Sequence, residues 1–349
     1  MSLRIVIGVL AYNEENSIIT MLDSLKSQTI FSREDNRYTV VVIPNGCTDN
    51  TAGVCRKYFA EWRHELADKQ HIQLDIVELK LGDKANAWNV LIHEHCPVES
   101  DYVVLLDSDI KIGQTNNLEK LISMLVEDEK IDVTTSLPVK ILPKDTSWWF
   151  AKLSMAGSSN QDHTQHSICG QLYAARLSIM SKIWLPVGLP VEDGFIRALV
   201  LTRSFSEPEL FHRIERCDGA SHQYEGESSM SKLMRHQIRV VSGSALNFIL
   251  FRYLESLVTP PGDACNKLQQ NIVKNPNLLK ELVEKHIATS DWFVIHRHFF
   301  FWRLERLKYY RGIQRITKLP ILFLGFVFDL TAALGARKLF KTKRVVGFW

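Results

Sequence analysis

The segment Tyr102-Val103-Val104-Leu105-Leu106-Asp107-Ser108-Asp109 decides the fold, because five apolar residues lead directly into two carboxylates. A short apolar run bounded by polar residues is typical of a buried strand. Two carboxylates just beyond such a strand repel each other unless something offsets their charge. A divalent cation bridging phosphate oxygens would do so, because such ions take few protein ligands beside a phosphate. A D-x-D pair can also simply cap a helix or turn, so the pattern alone leaves both interpretations open.

The sequence around this segment alternates between strand and helix patterns over the first 140 residues. Apolar runs that predict strands cover residues 5–10, 38–43, 72–79, 102–106 and 133–139. Stretches that predict helices cover residues 15–28, 51–68, 83–95 and 117–127. This order predicts an α/β fold of βαβ units with a mainly parallel, Rossmann-like central sheet. Such sheets bind ligands at the carboxyl ends of their strands.

The alternation fades beyond residue 140. Residues 147–165 are predicted to be irregular, residues 178–202 partly helical, and the chain from residue 246 onward helical. We therefore predict a catalytic domain at residues 1–245 and a C-terminal helical region at 246–349. Within the catalytic domain, residues 1–112 form the predicted nucleotide-binding half and residues 113–245 the acceptor-binding half.

The composition fits this organisation. A chain of 349 residues that is 46% hydrophobic is long enough for one large α/β domain and a smaller appendage. Its six cysteines include no C-x-x-C pair, which argues against a zinc ribbon or a thioredoxin-type site and favours a reducing compartment. The first residues lack a basic stretch followed by an apolar one, so no signal peptide is predicted.

Polar loops follow the first two predicted strands. The first loop is Ala11-Tyr12-Asn13-Glu14-Glu15 and the second is Pro44-Asn45-Gly46-Cys47-Thr48-Asp49. Either loop can be no more than a turn that caps the next helix. A functional interpretation places Asn45 against a nucleotide base, because its amide both donates and accepts hydrogen bonds.

Taken together, the motifs resemble those of family 2 glycosyltransferases, which have the GT-A fold. The resemblance rests on five motifs in the family's order: the two loops, Gly82-Asp83-Lys84-Ala85-Asn86, the D-x-D of residues 107–109, and Glu192-Asp193. It implies a metal-dependent, inverting glycosyltransferase that uses Mn²⁺ or Mg²⁺ and a nucleotide-sugar donor, by preference a UDP-sugar.

The resemblance also implies roles for single residues. Sugar transfer needs a base for the acceptor hydroxyl and positive charge at the leaving diphosphate. Asp193 is the candidate base, with Glu192 beside it. The candidate metal ligands are Asp107, Asp109 and His222, with His212 as a competitor for the histidine. The candidate nucleotide-sugar contacts are Ala11, Tyr12, Glu14, Asn45, Lys84, Asn86, Asp107, Ser108 and Arg239.

Each of these side chains also has an ordinary interpretation. Glu192 and Asp193 suit the first turn of a helix, where the helix dipole favours acids. His222 can be a partly buried histidine, and Arg239 an exposed helix arginine.

Two departures from the family pattern refine the prediction. The acidic pair usual in the second loop is Pro44-Asn45 here, which leaves the donor base open between uracil and guanine. Processive members carry Q-x-x-R-W, whereas this chain has His236-Gln237-Ile238-Arg239-Val240. The missing first glutamine and tryptophan favour transfer of a single sugar.

The C-terminal region combines positive charge with apolar residues. Residues 295–349 hold twelve Lys or Arg and two acids, a net +10, so the preceding residues carry −7 of the total +3. Residues 319–336 are almost wholly apolar apart from Asp329. This pattern predicts a helix lying in a membrane interface, an anionic membrane surface as partner, a location on the cytoplasmic side, and a lipid or lipid-linked acceptor. The alternative is a helix packed on the catalytic domain and a soluble acceptor.

The sequence also bears on three further function classes. A nucleotidyltransferase would need a glycine-rich loop after the first strand, and residues 10–16 contain no glycine. RNA binding would suit the basic tail, but the long apolar run favours lipid, so no nucleic-acid partner is expected. A non-catalytic nucleotide-binding module remains a distant alternative, which the presence of Asp109 and Asp193 disfavours.

Overall fold

A computed structural model of the chain describes residues 2–66, 69–143, 146, 165–257, 264–305 and 313–347. These residues fall into two compact units. The first lies within residues 1–187, 192–226 and 258–266, and the second within 188–191, 227–257 and 267–349. The predicted domain boundary at 245/246 falls inside a continuous helix, Met230–Leu257, which belongs to the second unit.

The first unit is built on an eight-stranded sheet among the described residues. Its strands are β1 (Arg4–Ala11), β2 (Arg37–Pro44), β3 (Ile72–Ile76), β4 (Tyr102–Asp107), β5 (Ile110–Ile112), β6 (Val133–Ile141), β7 (Leu172–Arg176) and β8 (Ile214–Glu225). Their order across the sheet is β3-β2-β1-β4-β7-β6-β8-β5. The five predicted strands correspond to β1, β2, β3, β4 and β6.

The half of the sheet from β3 to β4 is parallel throughout. The predicted helices lie between its strands: α1 (Ile18–Lys26), α2 (Thr51–Glu65) and α3 (Lys84–Val90), the last continued by a π-helical turn at Leu91–His95. A further predicted helix, α4 (Asn117–Glu127), precedes β6. These strands are buried on both faces of the sheet, which explains their near-continuous apolar sequences.

The other half of the sheet is mixed. β7 pairs antiparallel with β4 and β6, β5 pairs antiparallel with β8, and β6 runs parallel to β8 with an irregularity between Thr135 and Leu137. The sequence patterns did not predict β5, β7 or β8. The partly helical prediction at residues 178–202 is confirmed by α5 (Leu177–Met180) and α6 (Glu192–Leu201). The irregular segment predicted at 147–165 lies outside the described residues except for Gln165.

The second unit is helical, as predicted from residue 246, although its first helix begins earlier. Its helices are α7 (Met230–Leu257), α8 (Ala264–Lys274, which begins in the first unit), α9 (Leu278–Thr289), α10 (His298–Glu305) and α11 (Ile313–Lys341). α11 packs closely on α7, because a Cβ at Gly335 would lie 2.6 Å from Ile238 Cδ1. Within the part of the chain that the structure describes, no helix combines the length and apolar character needed to cross a membrane.

Candidate active site

The loops at the carboxyl ends of β1, β2 and β3 are locked together by their own polar groups. Asn13, in the left-handed region at φ 55°, accepts hydrogen bonds at Oδ1 from the backbone N–H of Thr48 (2.7 Å) and of Asp49 (3.4 Å). Gly46 has φ 62°, and a Cβ there would lie 2.2 Å from the backbone nitrogen of Gly82. This close approach explains why glycine stands at residue 46.

The predicted donor-binding residues of these loops differ in exposure. Ala11 is buried, and its carbonyl accepts from Asn45 Nδ2 at 2.7 Å and from the Asn45 backbone N–H at 2.9 Å. The Asn45 amide group is therefore also a structural link between β1 and β2. The Tyr12 side chain is 52% exposed and lies against Gly82, where a Cβ would come within 3.2 Å of Tyr12 Cε2. Tyr12 thus presents an aromatic ring at the carboxyl edge of the sheet.

Two other predicted donor contacts occupy turns at this edge. The side chain of Glu14 accepts a hydrogen bond from Ser17 Oγ, and burial raises the pKa of Glu14. Asn86 lies in the first turn of α3, where its backbone N–H donates to Asp83 Oδ1 at 2.7 Å. Asp83 therefore caps the helix that carries Lys84.

Lys84 is the centre of a charged cluster. Its ammonium nitrogen lies 2.7 Å from Asp107 Oδ1, 2.8 Å from Glu192 Oε1 and 3.4 Å from the carbonyl oxygen of Gly170. Burial alone would lower the pKa of Lys84, but the carboxylates of Asp107 and Glu192 outweigh it and hold that pKa well above its usual range. Lys84 is therefore a fixed cation that joins α3, β4 and α6.

The carboxylates outnumber this one cation. Burial raises the pKa of Asp107 to about 6; Lys84 opposes the rise and Asp109 adds to it. Burial, followed by the charge of Glu192, raises the pKa of Asp193 to about 6. Both aspartates therefore lie in surroundings that disfavour their charge, as functional carboxylates often do.

The first turn of α6 carries both Glu192 and Asp193. The backbone N–H of Gly194 donates to Asp193 Oδ1 at 2.7 Å. Glu192 and Asp193 therefore lie where the helix dipole favours acids, and this is also where the base was predicted. A small pocket brings both acids together with Lys84, Asp107 and Gly170, and its apolar lining consists of Leu10, Trp88, Leu105, Leu106, Tyr173 and Ile196.

The D-x-D segment ends at the sheet edge, with Ser108 buried and Asp109 exposed. Among the described residues, no three His, Cys, Asp or Glu side chains form a ready-made metal site. The chemistry of the pair nevertheless fits a divalent cation, because Asp107 and Asp109 supply hard oxygen ligands in a cluster with excess negative charge. Mg²⁺ and Mn²⁺ at phosphate sites commonly take one or two carboxylates and complete their shell with phosphate oxygens and water.

The predicted metal ligand His222 has a different environment from that of a preformed ligand. It lies on β8 with its side chain buried, and its Nδ1 is 3.0 Å from Ser136 Oγ. Its Nε2 is 3.2 Å from Gln171 Oε1 and 3.8 Å from Cys169 Sγ. Both ring nitrogens of His222 therefore face protein partners, and within the described part of the chain His222, Asp107 and Asp109 do not form a three-residue metal site. Its competitor His212 is exposed, in the turn Phe211–Arg213.

Arg239, the last of the predicted donor contacts, lies on α7 in the second unit. It is therefore not among the side chains that the first unit assembles around Lys84. Its contact with the donor stays a prediction.

The sequence patterns did not predict that Gly170, Gln171 and Tyr173 lie at this site. A Cβ at Gly170 would lie 3.3 Å from Asp193 Cβ, so the absence of a side chain leaves room for the acid. Gln171 accepts a hydrogen bond from the Asp107 backbone N–H at 2.9 Å through its carbonyl oxygen. Tyr173 OH accepts from Trp88 Nε1 at 2.9 Å. The signal was a glycine just before a short apolar run, Leu172–Arg176.

The sequence model of glycosyl transferase family 2 matches residues 6–184 of the chain. This match covers the four parallel strands and the D-x-D segment, and it ends before Glu192. No curated protein sequence gives a match to this chain.

Several solved structures are similar to this chain at low sequence identity. The mannosyltransferase PcManGT from Pyrobaculum calidifontis, in complex with GDP-Man and Mn²⁺, is 16% identical with a TM-score of 0.56, covering 97% of this chain and 87% of that one. S. aureus TarS 1–349 in complex with UDP is 16% identical with a TM-score of 0.47, covering 98% and 92%. Glucosyl-3-phosphoglycerate synthase from Mycobacterium tuberculosis, with Mn²⁺, UDP-Glc and phosphoglyceric acid, is 16% identical with a TM-score of 0.46, covering 70% and 79%. The first of these confirms the predicted GT-A fold.

Proposed function

Since the chain belongs to glycosyl transferase family 2 and is a glycosyltransferase, we propose that it transfers a single sugar from a nucleotide-sugar donor to a lipid or lipid-linked acceptor. The transfer inverts the configuration at the anomeric carbon. The observation that carries the proposal is the cluster of Lys84, Asp107, Glu192 and Asp193 at the carboxyl edge of the sheet. It combines a candidate base, a fixed cation and surplus carboxylates within one pocket.

Asp193 acts as the base in this proposal. The acceptor oxygen forms a bond to the anomeric carbon while the bond from that carbon to the diphosphate oxygen breaks on the opposite face. The hydroxyl proton passes to the Asp193 carboxylate. A pKa of about 6, raised by burial, makes this carboxylate a stronger base than an exposed aspartate while leaving it largely ionised at neutral pH.

Asp107 and Asp109 are the proposed ligands of Mn²⁺ or Mg²⁺. When bound, the ion supplies positive charge against the donor diphosphate. Lys84 holds Asp107 and Glu192 in fixed positions through its two ion pairs. The Pyrobaculum calidifontis mannosyltransferase holds Mn²⁺ together with its GDP-Man donor, which supports a metal-assisted donor site on this fold.

A UDP-sugar is the proposed donor, with Ala11, Tyr12, Glu14, Asn45, Asn86 and Ser108 as further donor contacts. The exposed ring of Tyr12 offers a surface for stacking a base. Asn45 donates its amide to Ala11, so base recognition by Asn45 rests on its side-chain carbonyl oxygen. That oxygen accepts from a uracil N–H, and an equivalent N–H exists on guanine, so both donor bases belong in the test.

The lipid acceptor and a location at the cytoplasmic face of a membrane are supported by α11. One face of this helix is buried, at Leu322, Asp329, Ala332, Ala333, Ala336 and Phe340. The opposite face exposes Leu319, Phe323, Leu324, Val327 and Leu334. Lys338 and Lys341 are exposed near its end, and Asp329 is the helix's one acid. An exposed apolar stripe with basic residues and no exposed acid suits an anionic membrane interface.

Turnover with defined donors tests the transferase proposal. The purified full chain is incubated with Mn²⁺, a synthetic set of polyprenyl-phosphate, diacylglycerol and soluble sugar acceptors, and a panel of UDP- and GDP-sugars. We expect release of one nucleoside diphosphate per sugar transferred, with one donor clearly preferred. Transfer to a soluble acceptor but to no lipid would favour the alternative acceptor class, and absence of transfer from every donor would contradict the proposal.

Vesicle binding tests the location separately. The full chain should sediment with vesicles containing phosphatidylserine and resist a high-salt wash, because screening weakens charge contacts but leaves apolar burial intact. The double variant Phe323→Glu/Val327→Glu should stay in the supernatant. Val98→Glu, at a 98% exposed site of the first unit, is the matched control and should sediment like the wild type. A wild-type chain that ignores such vesicles would contradict the membrane location.

A further inference from the structure

The turn Cys169-Gly170-Gln171, just before β7, touches the charged cluster from its backbone side. The Gly170 carbonyl accepts from Lys84 Nζ at 3.4 Å, and the Gln171 carbonyl accepts from the Asp107 backbone N–H at 2.9 Å. The missing side chain of Gly170 makes room for Asp193, since a Cβ there would approach Asp193 Cβ to 3.3 Å. A shift of this turn would therefore displace the Lys84 ammonium and the Asp193 carboxylate, whereas the Asp107 backbone is also held in β4 by its parallel pairing with β1.

His222 holds the other side of the same turn. Its Nε2 faces Gln171 Oε1 at 3.2 Å and Cys169 Sγ at 3.8 Å, while its Nδ1 faces Ser136 Oγ at 3.0 Å. Thr135 Oγ1 adds a second support by accepting from the Cys169 backbone N–H at 3.0 Å. The turn is thus bound to β6 and β8 through side chains, and to the charged cluster through its backbone.

The partners of His222 define its tautomer. Gln171 Oε1 can only accept, so Nε2 carries the proton, and Nδ1 then accepts from the Ser136 hydroxyl. A neutral ring in this form uses its one free lone pair on Ser136. A metal ligand needs an imidazole lone pair directed at the ion, and this arrangement provides none. Burial, which lowers the pKa of His222 to about 4, keeps the ring neutral at physiological pH.

We propose that His222 is a positioning residue, which orients the Cys169-Gly170-Gln171 turn through Gln171 and thereby sets Lys84 and Asp193 for transfer. The proposal rests on the proposed function for its effect on the rate, but its structural part concerns the turn alone. It replaces the metal-ligand role that the sequence suggested for His222 with one that acts through hydrogen bonds.

Three variants of His222 separate the two roles. His222→Gln keeps an N–H donor near the place of Nε2, His222→Asn has a shorter amide that does not reach Gln171, and His222→Ala has none. We expect kcat to fall about tenfold or more in His222→Ala and His222→Asn, and to be largely retained in His222→Gln, because small misplacements of reacting groups are costly. The Mn²⁺ affinity, measured with UDP present, should stay within about twofold of the wild type, whereas loss of even an outer-shell partner of a metal commonly costs tenfold.

Gln171→Ala provides a variant that leaves the histidine in place. It removes the side-chain oxygen that His222 contacts but keeps the backbone carbonyl. We expect it to lower kcat as His222→Ala does, with unchanged Mn²⁺ affinity. A metal ligand at His222 predicts instead that Gln171→Ala leaves kcat close to that of the wild type.

Alkylation of Cys169 reads out the turn without any activity. Iodoacetamide labelling followed by peptide mass spectrometry should show faster modification of Cys169 in His222→Ala and Gln171→Ala than in the wild type or His222→Gln. Cys47, also partly exposed but in the β2 loop, is the internal control and should not change. Cys169 labelling can be interpreted even if the proposed function is wrong. A wrong proposed function would instead be recognised by a wild type that shows no Mn²⁺-dependent UDP binding.

The result that would overturn the inference is a loss of Mn²⁺ affinity of tenfold or more in His222→Gln as well as His222→Ala, with Cys169 labelling unchanged in both. His222 would then be a metal ligand. Faster Cys169 labelling with retained Mn²⁺ affinity supports the positioning role.

Discussion

The two ends of the same parallel strands are built in opposite ways. At the amino ends of β1, β2 and β3, the rings of Phe31, Tyr38, Phe59 and Trp62 pack edge to face, with centroids 5.3 to 5.8 Å apart. At the carboxyl ends, Lys84 is held among Asp107, Glu192 and Asp193. One end buries apolar surface and gains stability, whereas the other buries charge and pays for it in stability.

The polar groups of the aromatic end serve the packing. His71 Nε2 lies 3.0 Å from the Phe31 carbonyl oxygen, and Asn36 Nδ2 donates to Tyr38 OH at 3.1 Å. Buried polar groups that are paired in this way add little cost to a core. The carboxyl end differs because its carboxylates outnumber its cation, and burial raises the pKa of both Asp107 and Asp193 to about 6.

This difference indicates which end of the strands stabilises the fold and which end lowers its stability. An arrangement that disfavours its own charges persists only when the surrounding structure is stable enough to hold it, and active sites are the common place for such arrangements. Changes at the carboxyl end should therefore alter activity more than stability. Changes at the amino end should do the reverse.

The largest expected effect is on the rate of Asp193→Asn. Removing a general base typically slows transfer by about 10²- to 10⁴-fold, and the asparagine keeps the oxygen that accepts from the Gly194 N–H. We expect kcat to fall in this range with little change in donor affinity, as measured by steady-state kinetics and UDP titration. Asp218→Asn makes the same chemical change at an exposed carboxylate of β8 and should leave kcat unchanged. Loss of donor binding with retained kcat would make Asp193 a binding residue instead.

The second effect belongs to the aromatic end. Trp62 is 3% exposed and contacts the rings of Phe31, Tyr58 and Phe59, so Trp62→Ala should lower the free energy of unfolding by about 3–5 kcal/mol. Chemical denaturation measures this change, and kcat per folded molecule should stay near the wild-type value. Glu61→Ala, on the exposed face of the same helix, is the control and should change the stability little. A Trp62→Ala protein that is fully stable but inactive would break the comparison.

The smallest expected effect is the pH dependence of stability at Asp193. Folding raises the pKa of Asp193 from 3.8 to about 6. The free energy of unfolding therefore falls as pH rises from the unfolded pKa through about 6, where the buried carboxyl ionises. Asp193→Asn should therefore be more stable than the wild type at pH 8, by on the order of 2 kcal/mol, and equally stable below pH 4. Denaturation midpoints at both pH values measure the difference. A wild type that is the more stable protein at pH 8 would show that the Asp193 charge is well compensated.

The parallel half of the fold could be predicted from the sequence because its physics is local. Strands buried on both faces need continuous apolar runs, and the helices between them need turns with caps, so both leave a signal in the sequence. The prediction for α4 matched the observed Asn117–Glu127 at both ends. The mixed half gave weaker signals: β5 has three residues, and β8 contains Glu215, Arg216, Asp218 and His222 among its twelve. A strand so polar looks like a loop until its partners are known.

The site shows the same limit. Lys84, Asp107, Glu192 and Asp193 carry charges at recognisable spacings, and the structure brings all four into one pocket. Gly170 and Gln171 contribute backbone carbonyls, which every residue type has, so only the glycine itself left a signal in the sequence. His222 was predicted as a metal ligand from its residue type and spacing, but only the fold shows that Ser136 and Gln171 face its two nitrogens.

The most direct test of the central claim is whether the carboxyl end binds its donor through a divalent cation. Binding and turnover of the preferred nucleotide-sugar are measured for the wild type with Mn²⁺, with excess EDTA, and after Mn²⁺ is restored, and for Asp109→Ala beside the control Asp218→Ala. We predict that EDTA abolishes transfer reversibly, and that Asp109→Ala loses both transfer and Mn²⁺-dependent UDP binding while its circular dichroism and unfolding midpoint match the wild type. Full activity in excess EDTA, or an active Asp109→Ala protein, would contradict the claim.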